Sequence, residues 1–225
     1  MAKESAKFFI VGTPIGNLKD ISLRALETLR EVDLIFCEDT RRSLKLLNAY
    51  EIKKPLKSCP AFKEKKESQE LIRQLEEGKK VAYISDAGMP VISDPGAYLV
   101  RQAKEAGYPV EVIGGLSSIT CFLAGLGEEL EEFKFIGFLP PKTQRRRKLF
   151  ESPVEIPTLF FESPHRIQTT LELIAEIKPQ WRLSLAKELT KISEAYFSGS
   201  AKELLQDIPS WKGEWLGLIW SEEKE

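Results

Sequence analysis

Apolar positions along this chain follow two alternating patterns. Short unbroken runs at Phe8 to Val11, Leu34 to Cys37, Val81 to Ile84 and Val110 to Ile113 have the length of strands buried on both faces. The stretches between them place apolar residues one helical turn apart. Leu23, Leu26, Leu29 and Val32 form one such stripe, with Asp20 or Ser22 available to cap it. Leu44 and Leu47 mark a second helix over residues 40–49, and the charged segment from Ser68 to Glu77 a third, stopped by Gly78. Asp94-Pro95 reads as a helix start, because aspartate suits the cap and proline the first helical position; that helix ends near Gly107. Strands joined by helical crossovers predict a mostly parallel sheet covered on both faces.

The pattern pauses at Gly114-Gly115-Leu116-Ser117-Ser118, before a helix over residues 119–126 and a solvated acidic connection, Glu128 to Glu132. A second set then begins. Its strands are expected at Phe135 to Leu139, Thr158 to Phe161, Leu183 to Ala186, Ala195 to Phe197 and Trp215 to Trp220. Helices are expected at 145–150, 166–177 and 201–207. The reading is α/β, with two α/β domains: 1–115 with a mostly parallel sheet and 116–225 with a mixed one.

Composition narrows the classes. With 42% hydrophobic and 30% charged residues the chain is ordinary for a soluble globular protein. No apolar run approaches the roughly 18 residues of a membrane helix, and the charged stretch Met1 to Lys7 lacks the apolar core of a signal peptide. A cytoplasmic protein without membrane contact is expected. Cys37, Cys59 and Cys121 are widely spaced, and with one histidine they make no convincing metal site, so free thiols are expected. The net charge of −1 argues against indiscriminate binding to polyanions but leaves room for a local basic face. Lys142-Thr143-Gln144-Arg145-Arg146-Arg147-Lys148 is the best candidate for one, although such a run is also a common solvated helix face.

Chemistry concentrates in five loops at predicted strand ends, where open α/β sheets place ligands. Ser85-Asp86-Ala87-Gly88-Met89-Pro90-Val91-Ile92-Ser93-Asp94-Pro95-Gly96 is the strongest, since its glycines, prolines and acids suit neither helix nor strand. Gly12 to Leu18 has the position of a phosphate-binding turn but neither the GxGxxG nor the GK[ST] form; a plain turn is the competing reading. In Cys37-Glu38-Asp39-Thr40-Arg41-Arg42-Ser43, adjacent acids and arginines could handle a proton and a phosphate, or Asp39 could simply cap the next helix. Gly114 to Ser118 permits close backbone approach, with serines that cap or bind. Phe161-Glu162-Ser163-Pro164-His165-Arg166 places the only histidine and an arginine in an expected first helical turn, which attracts anions.

Together these loops resemble one family. Thr13-Pro14-Ile15-Gly16-Asn17-Leu18-Lys19-Asp20-Ile21, Glu38-Asp39-Thr40-Arg41, Ser85-Asp86-Ala87-Gly88, Ile92-Ser93-Asp94-Pro95-Gly96, Glu162-Ser163-Pro164-His165-Arg166 and Lys187-Glu188-Leu189-Thr190-Lys191 occur in the order of the ribosomal RNA small-subunit methyltransferase I family, within the tetrapyrrole methylase superfamily. The resemblance spans about residues 8–220. It implies a class III methyltransferase fold of two α/β domains with S-adenosyl-L-methionine bent in a cleft between them. It implies methylation of a cytidine ribose 2′-hydroxyl in the decoding centre of 16S ribosomal RNA, on the small ribosomal subunit, by a homodimer. By analogy it assigns cofactor contacts to Ile15, Asp86, Met89, Ser117, Ser118, Phe161 and Ala186. Arg41, Arg145, Arg146, Arg147, His165 and Arg166 are expected on the RNA.

A ribose hydroxyl is a weak acid, so a general base would help. Asp39, Glu162, Glu188 and Lys187 are candidates, and Glu162 and Asp39 are preferred as catalytic residues; no metal is expected. Three departures from the family pattern stand out. Gly114-Gly115-Leu116-Ser117-Ser118 replaces the usual Pro-Gly-Pro-Ser-Ala. Ser58-Cys59-Pro60-Ala61-Phe62-Lys63-Glu64 replaces a stretch bearing histidine and asparagine. The sequence stops at Glu225, where many members continue. Two alternatives stay open: methylation of a small tetrapyrrole-like substrate, and a non-catalytic ribosome-binding protein on the same scaffold.

Overall fold

The computed structural model describes residues 6–220 and divides into two compact units, Met1–Ser117 and Ser118–Glu225. Residues 1–5 of the amino-terminal stretch, and Glu225 at the other end, lie outside the described residues.

In the first unit, β1 (Lys7–Val11), β2 (Leu34–Cys37), β3 (Leu56–Ser58), β4 (Lys80–Ile84) and β5 (Val110–Ile113) form a sheet in the order β3-β2-β4-β1-β5, every pair parallel. The unbroken apolar runs follow from this. Alternate side chains leave a strand on opposite faces, and both faces are covered. Phe8, Ile10, Phe36, Val81 and Tyr83 pack against α3 (Glu64–Glu76) and α4 (Ala97–Glu105) through Leu71, Leu75, Leu99 and Ala103. Phe9, Val11, Ile35, Cys37, Ala82 and Ile84 pack on the other face against α1 (Leu23–Glu31) and α2 (Thr40–Ala49) through Ala25, Leu29 and Leu47. Each large side chain so buried stabilises the unit by about 1.5–3 kcal/mol relative to exposure. Ser22 caps α1 by accepting from the Ala25 amide at 3.1 Å, and Asp39 caps α2 by accepting from the Arg41 amide at 2.8 Å.

Three expectations need correction here. The strand β3 is absent from the sequence reading, because only Leu56 of its three residues is apolar and the strand lies at the sheet edge. Helix α3 starts at Glu64 rather than Ser68, since its first turn is wholly charged. Helix α4 starts at Ala97, not at Asp94-Pro95, and its N-cap is Gly96, whose amide donates to the Glu64 carboxylate. Pro95 is instead tied back into the loop, its carbonyl accepting from the Val91 amide at 3.1 Å.

In the second unit, β6 (Lys134–Phe138), β7 (Thr158–Glu162), β8 (Arg182–Lys187), β9 (Ala195–Ser200) and β10 (Trp215–Ile219) form a mixed sheet in the order β6-β7-β10-β8-β9. β6 and β7 are parallel; β10 runs antiparallel to β7 and β8, and β9 antiparallel to β8. The helices are α5 (Ser118–Leu126), α6 (Thr143–Glu151), α7 (Ile167–Ile177) and α8 (Ala201–Asp207). The core gathers Phe150, Phe160, Ile167, Leu171, Leu183, Leu185 and Trp215, with Phe150 edge-on to Trp181 at 6.0 Å between ring centroids. Helix α7 begins one residue later than expected. Arg166 is its N-cap, so His165 and Arg166 stand before the first helical turn.

Candidate active site at the strand ends

Three of the chemistry-bearing loops leave the carboxyl ends of β1, β5 and β4 and are laced to one another through backbone. Thr13 and Gly88 exchange amide–carbonyl hydrogen bonds of 2.9 and 3.1 Å, a single antiparallel bridge outside the sheet. The buried Thr13 hydroxyl adds a contact of 3.4 Å to the Gly88 carbonyl. The Gly12 amide donates to Ile113 at 3.0 Å. Gly12 and Gly115 then press together so closely that a Cβ on Gly115 would stand 2.8 Å from the Gly12 Cα, a distance side chains do not tolerate. The Gly115 amide donates to the Met89 sulfur at 3.2 Å, and the Ser22 hydroxyl holds the Gly114 carbonyl at 3.2 Å. Ile15 stands over Gly88, within 3.1 Å of where a Cβ would lie. The departure from the family pattern at Gly114 is therefore sterically free, with open space beside it, while the constraint falls on Gly115.

The ends of β2 and β4 bring carboxylates together. The Asp39 amide donates to Asp86 Oδ1 at 3.1 Å, and Arg42 Nε lies 3.4 Å from Asp86 Oδ2. In return the Asp86 amide donates to the Glu38 carboxylate. Burial pushes the Glu38 carboxyl above its usual range, and the neighbouring Asp86 charge adds to the rise; the Asp86 amide and Arg42 oppose it only in part. Asp39 behaves oppositely. Hydrogen bonds from the Arg41 guanidinium and amide hold its pKa down at about 2. The Arg41 side chain, gripped by Asp39 at 3.0 Å (Nε) and 2.5 Å (Nη2), still projects 86% exposed. Glu38 is not among the bases expected from the sequence. Its signal was its position at a buried strand's end, one strand away from Asp86.

The loop after β4 carries backbone strain. Val91 has φ of +79° and Ser93 of +64°. A β-branched residue in this region is a steric outlier costing on the order of 1–3 kcal/mol, a cost concentrated at functional loops.

In the second unit the geometry reassigns several residues. Glu162 has a side chain 0% exposed. Its carboxylate accepts from the Ser163 amide at 2.7 Å and the Thr170 hydroxyl at 2.9 Å, and it pairs with Arg166 at 2.6 Å. A carboxylate so enclosed organises the turn into α7 and presents no free edge to a substrate hydroxyl. Arg166 is thereby committed to it, while His165 is exposed, with its amide on Ser163 Oγ at 3.2 Å. Phe161 and Ala186 both stand opposite Leu216 of β10, so these two expected cofactor contacts share one row. Ser117 closes the first unit and Ser118 opens α5. Lys187 is buried, donating to the Ser210 carbonyl at 3.0 Å beneath Phe197 and Trp215. Burial works against the Glu188 charge, but the Glu214 amide and Lys191 hold its pKa below the usual range. Both side chains are thus engaged by partners within the second unit.

The basic helix α6 divides into distinct roles. Arg146 is only 3% exposed and donates to the carbonyls of Pro140 and Pro141, both at 3.1 Å. It is not available to RNA, in correction of the expectation. Arg147 is paired with Glu176 at 2.9 Å, and Arg145 is exposed. Among the described residues no group of three or more His, Cys, Asp and Glu could hold a metal, and no helix is long and apolar enough to cross a membrane.

Residues 7–205 match the family model described as Tetrapyrrole (Corrin/Porphyrin) Methylases. Ribosomal RNA small subunit methyltransferase I of Thermotoga maritima is 49% identical over 88% of this chain and 90% of its own length. The protein of that name from Neisseria meningitidis serogroup B is 44% identical over 87% of this chain and 68% of its own. Among solved structures, uroporphyrin-III-C-methyltransferase from Thermus thermophilus superposes with a TM-score of 0.68 at 20% identity, covering 96% of this chain and 94% of that one, a likeness of fold.

Two stability measurements follow from this geometry. Gly115→Ala is expected to lower the urea-unfolding free energy by about 1–3 kcal/mol, because backbone faces the new methyl, whereas Gly114→Ala stays within about 0.5 kcal/mol. Arg146→Glu is expected to cost at least about 1–3 kcal/mol by removing the donor to the Pro140 and Pro141 carbonyls and placing a carboxylate where the guanidinium is buried, while Arg145→Glu changes stability by less than about 0.5 kcal/mol.

Proposed function

This chain belongs to the tetrapyrrole methylase family, alongside the ribosomal RNA small subunit methyltransferases I, and on that footing we propose that it methylates small-subunit ribosomal RNA. The finer reading is transfer of a methyl group from S-adenosyl-L-methionine to the 2′-hydroxyl of a cytidine ribose in the decoding centre. The observation that carries this reading is the placement of Glu38 and Asp86 at the ends of adjacent strands beside the exposed Arg41, on the edge where three glycine-bearing loops converge.

The donor set fits a cationic, partly apolar ligand. Ile15 and Met89 supply apolar contact, Gly114 leaves open backbone, and Asp86 supplies a carboxylate for an ammonium group. We assign Ile15, Asp86, Met89 and Ser117 to the amino-acid end of the donor and Ser118, Phe161 and Ala186 to its adenine end. When bound, S-adenosylmethionine supplies a methyl group already activated by a positively charged sulfur. What remains for the chain is to orient the hydroxyl and receive its proton. Holding reactants in attack geometry supplies up to roughly 7–11 kcal/mol of barrier reduction.

Glu38 is assigned as the proton acceptor. A carboxylate whose pKa lies above the ordinary range is the better base, and Asp39, held at about 2, is the poorer one. Asp39 instead fixes the Arg41 guanidinium, which is suited to a backbone phosphate. The proton taken by Glu38 leaves to solvent from a half-buried position.

The direct test uses small subunits from a strain lacking this protein and methyl-labelled donor. We expect label in one nucleotide that resists alkaline cleavage, as a 2′-O-methyl ribose must. Label on a base, or none in RNA, would contradict the reading, and transfer to a tetrapyrrole alone would replace it.

Glu38→Gln should lower kcat by about 10²- to 10⁴-fold. Because the folded pKa of Glu38 lies above its unfolded value, its contribution to stability is complete at low pH and is lost as pH rises through the folded value. The variant should therefore be no less stable than the parent at pH 7. The wild-type rate should fall as pH drops through the Glu38 pKa, and Asp86→Asn should shift that limb to lower pH by removing a like charge. An unmoved limb would exclude Glu38 as the titrating group.

A further inference from the structure

The residue least accounted for by this chemistry is Phe62, which stands 83% exposed. It lies in the short 3-10 turn Ala61–Lys63 that joins β3 to α3. Leaving a phenyl ring in water forgoes about 1.5–3 kcal/mol of burial, and the turn is not a loose one. The Lys63 amide donates to Pro60 at 2.8 Å, the Cys59 amide to Cys37 at 2.7 Å, and the Tyr83 hydroxyl to the Cys59 carbonyl at 3.3 Å. The next residue, Glu64, is fixed by the Gly96 amide. The ring therefore rides on a pedestal tied into β2, β4 and the loop after β4.

The charge around it is positive. The Lys63 ammonium sits 5.7 Å from the Phe62 ring centroid, and Lys65 and Lys66 are exposed on the first turn of α3. The two acids of that turn are already engaged, Glu64 by Gly96 and Glu67 by Lys57 at 3.0 Å. The pedestal also adjoins the carboxylate cluster: β3 is the neighbour of β2 at a strand spacing of about 5 Å, and Ser58 Oγ donates to the Glu38 carbonyl at 3.4 Å. An exposed ring flanked by free ammonium groups suits a single-stranded nucleic acid, whose unpaired bases stack on aromatics while lysines follow the phosphates. It suits a protein partner less, because lysine is depleted from protein–protein interfaces.

We propose that Phe62, with Lys63, is a stacking platform for an unpaired base next to the target nucleotide, with Lys65 and Lys66 on its backbone. This assignment rests on the site's reading as an RNA methyltransferase. It gives this chain an RNA contact in the segment where it departs from its family's pattern. Two readouts on the full-length protein separate the two claims: methyl transfer to small subunits from a strain lacking this protein, and anisotropy of a fluorescent single-stranded oligoribonucleotide of the target region. Phe62→Leu should weaken oligoribonucleotide binding and raise KM for subunits by about 5- to 100-fold, the loss falling on KM, and Phe62→Trp should restore both. The affinity for S-adenosylmethionine, by calorimetry, should not move. If the wild type methylates no RNA, the functional reading fails, and the anisotropy alone decides the platform. RNA binding and KM indifferent to Phe62→Leu would overturn it. So would a loss that tryptophan does not rescue, or one that tracks a change of oligomeric state in light scattering, which would make the ring a contact between copies.

Discussion

The candidate site depends on a backbone contact that no side chain could replace. Gly12 and Gly115 meet where a single added methyl would intrude to 2.8 Å of main chain. Next to them, Thr13 and Gly88 pair as a two-residue fragment of sheet built from loops rather than strands. Loops at the carboxyl edge of a parallel sheet are ordinarily independent of one another. Here the exits of β1, β4 and β5 are tied together by the Thr13–Gly88 bridge, the Gly12 amide on Ile113 and the Gly115 amide on the Met89 sulfur, and these contacts hold the loops that carry Ile15, Asp86 and Met89. Rigid support of this kind is what a site needs if reacting groups are to be held in attack geometry.

The electrostatics grow out of the same edge. Glu38 and Asp86 leave adjacent strands and exchange backbone support: Asp86 accepts from the Asp39 amide, and its own amide serves Glu38. The arrangement fixes two carboxylates near one another at the cost of raising one pKa. Asp39, a single residue further on, turns outward, takes Arg41 and becomes strongly acidic. Two adjacent acids thus receive opposite characters from their surroundings, one suited to receiving a proton and the other to holding a cation in place. The same contrast separates Glu38 from Glu162, which has all its donors supplied from within its own turn and helix.

How far the sequence revealed this differs from element to element. Phe8 to Val11 and Val81 to Ile84 were readable because strands buried on both faces need no polar positions. The three-residue β3 was not, since a short edge strand carries too little pattern. Asp94-Pro95 looked like a helix start, but the strained backbone at Val91 and Ser93 turns that proline back into its loop. The chemistry-bearing loops were legible as a set, because glycines, prolines and acids cluster at strand ends. The roles within them were not. Nothing local tells Arg146 from Arg145, since the difference lies in two proline carbonyls that the helix start folds over the guanidinium. Choosing among Glu38, Asp39 and Glu162 likewise required partners supplied by other elements.

The central claim is that the linked loops of the first unit hold the methyl donor. Hydrogen exchange with and without S-adenosylmethionine tests it most directly, because it reads backbone amides one segment at a time. Slower exchange on donor addition is expected at residues 12–17, 85–96 and 114–117 together, with β3 and α1 unaffected. Protection confined to other segments, or exchange indifferent to saturating donor, would contradict it.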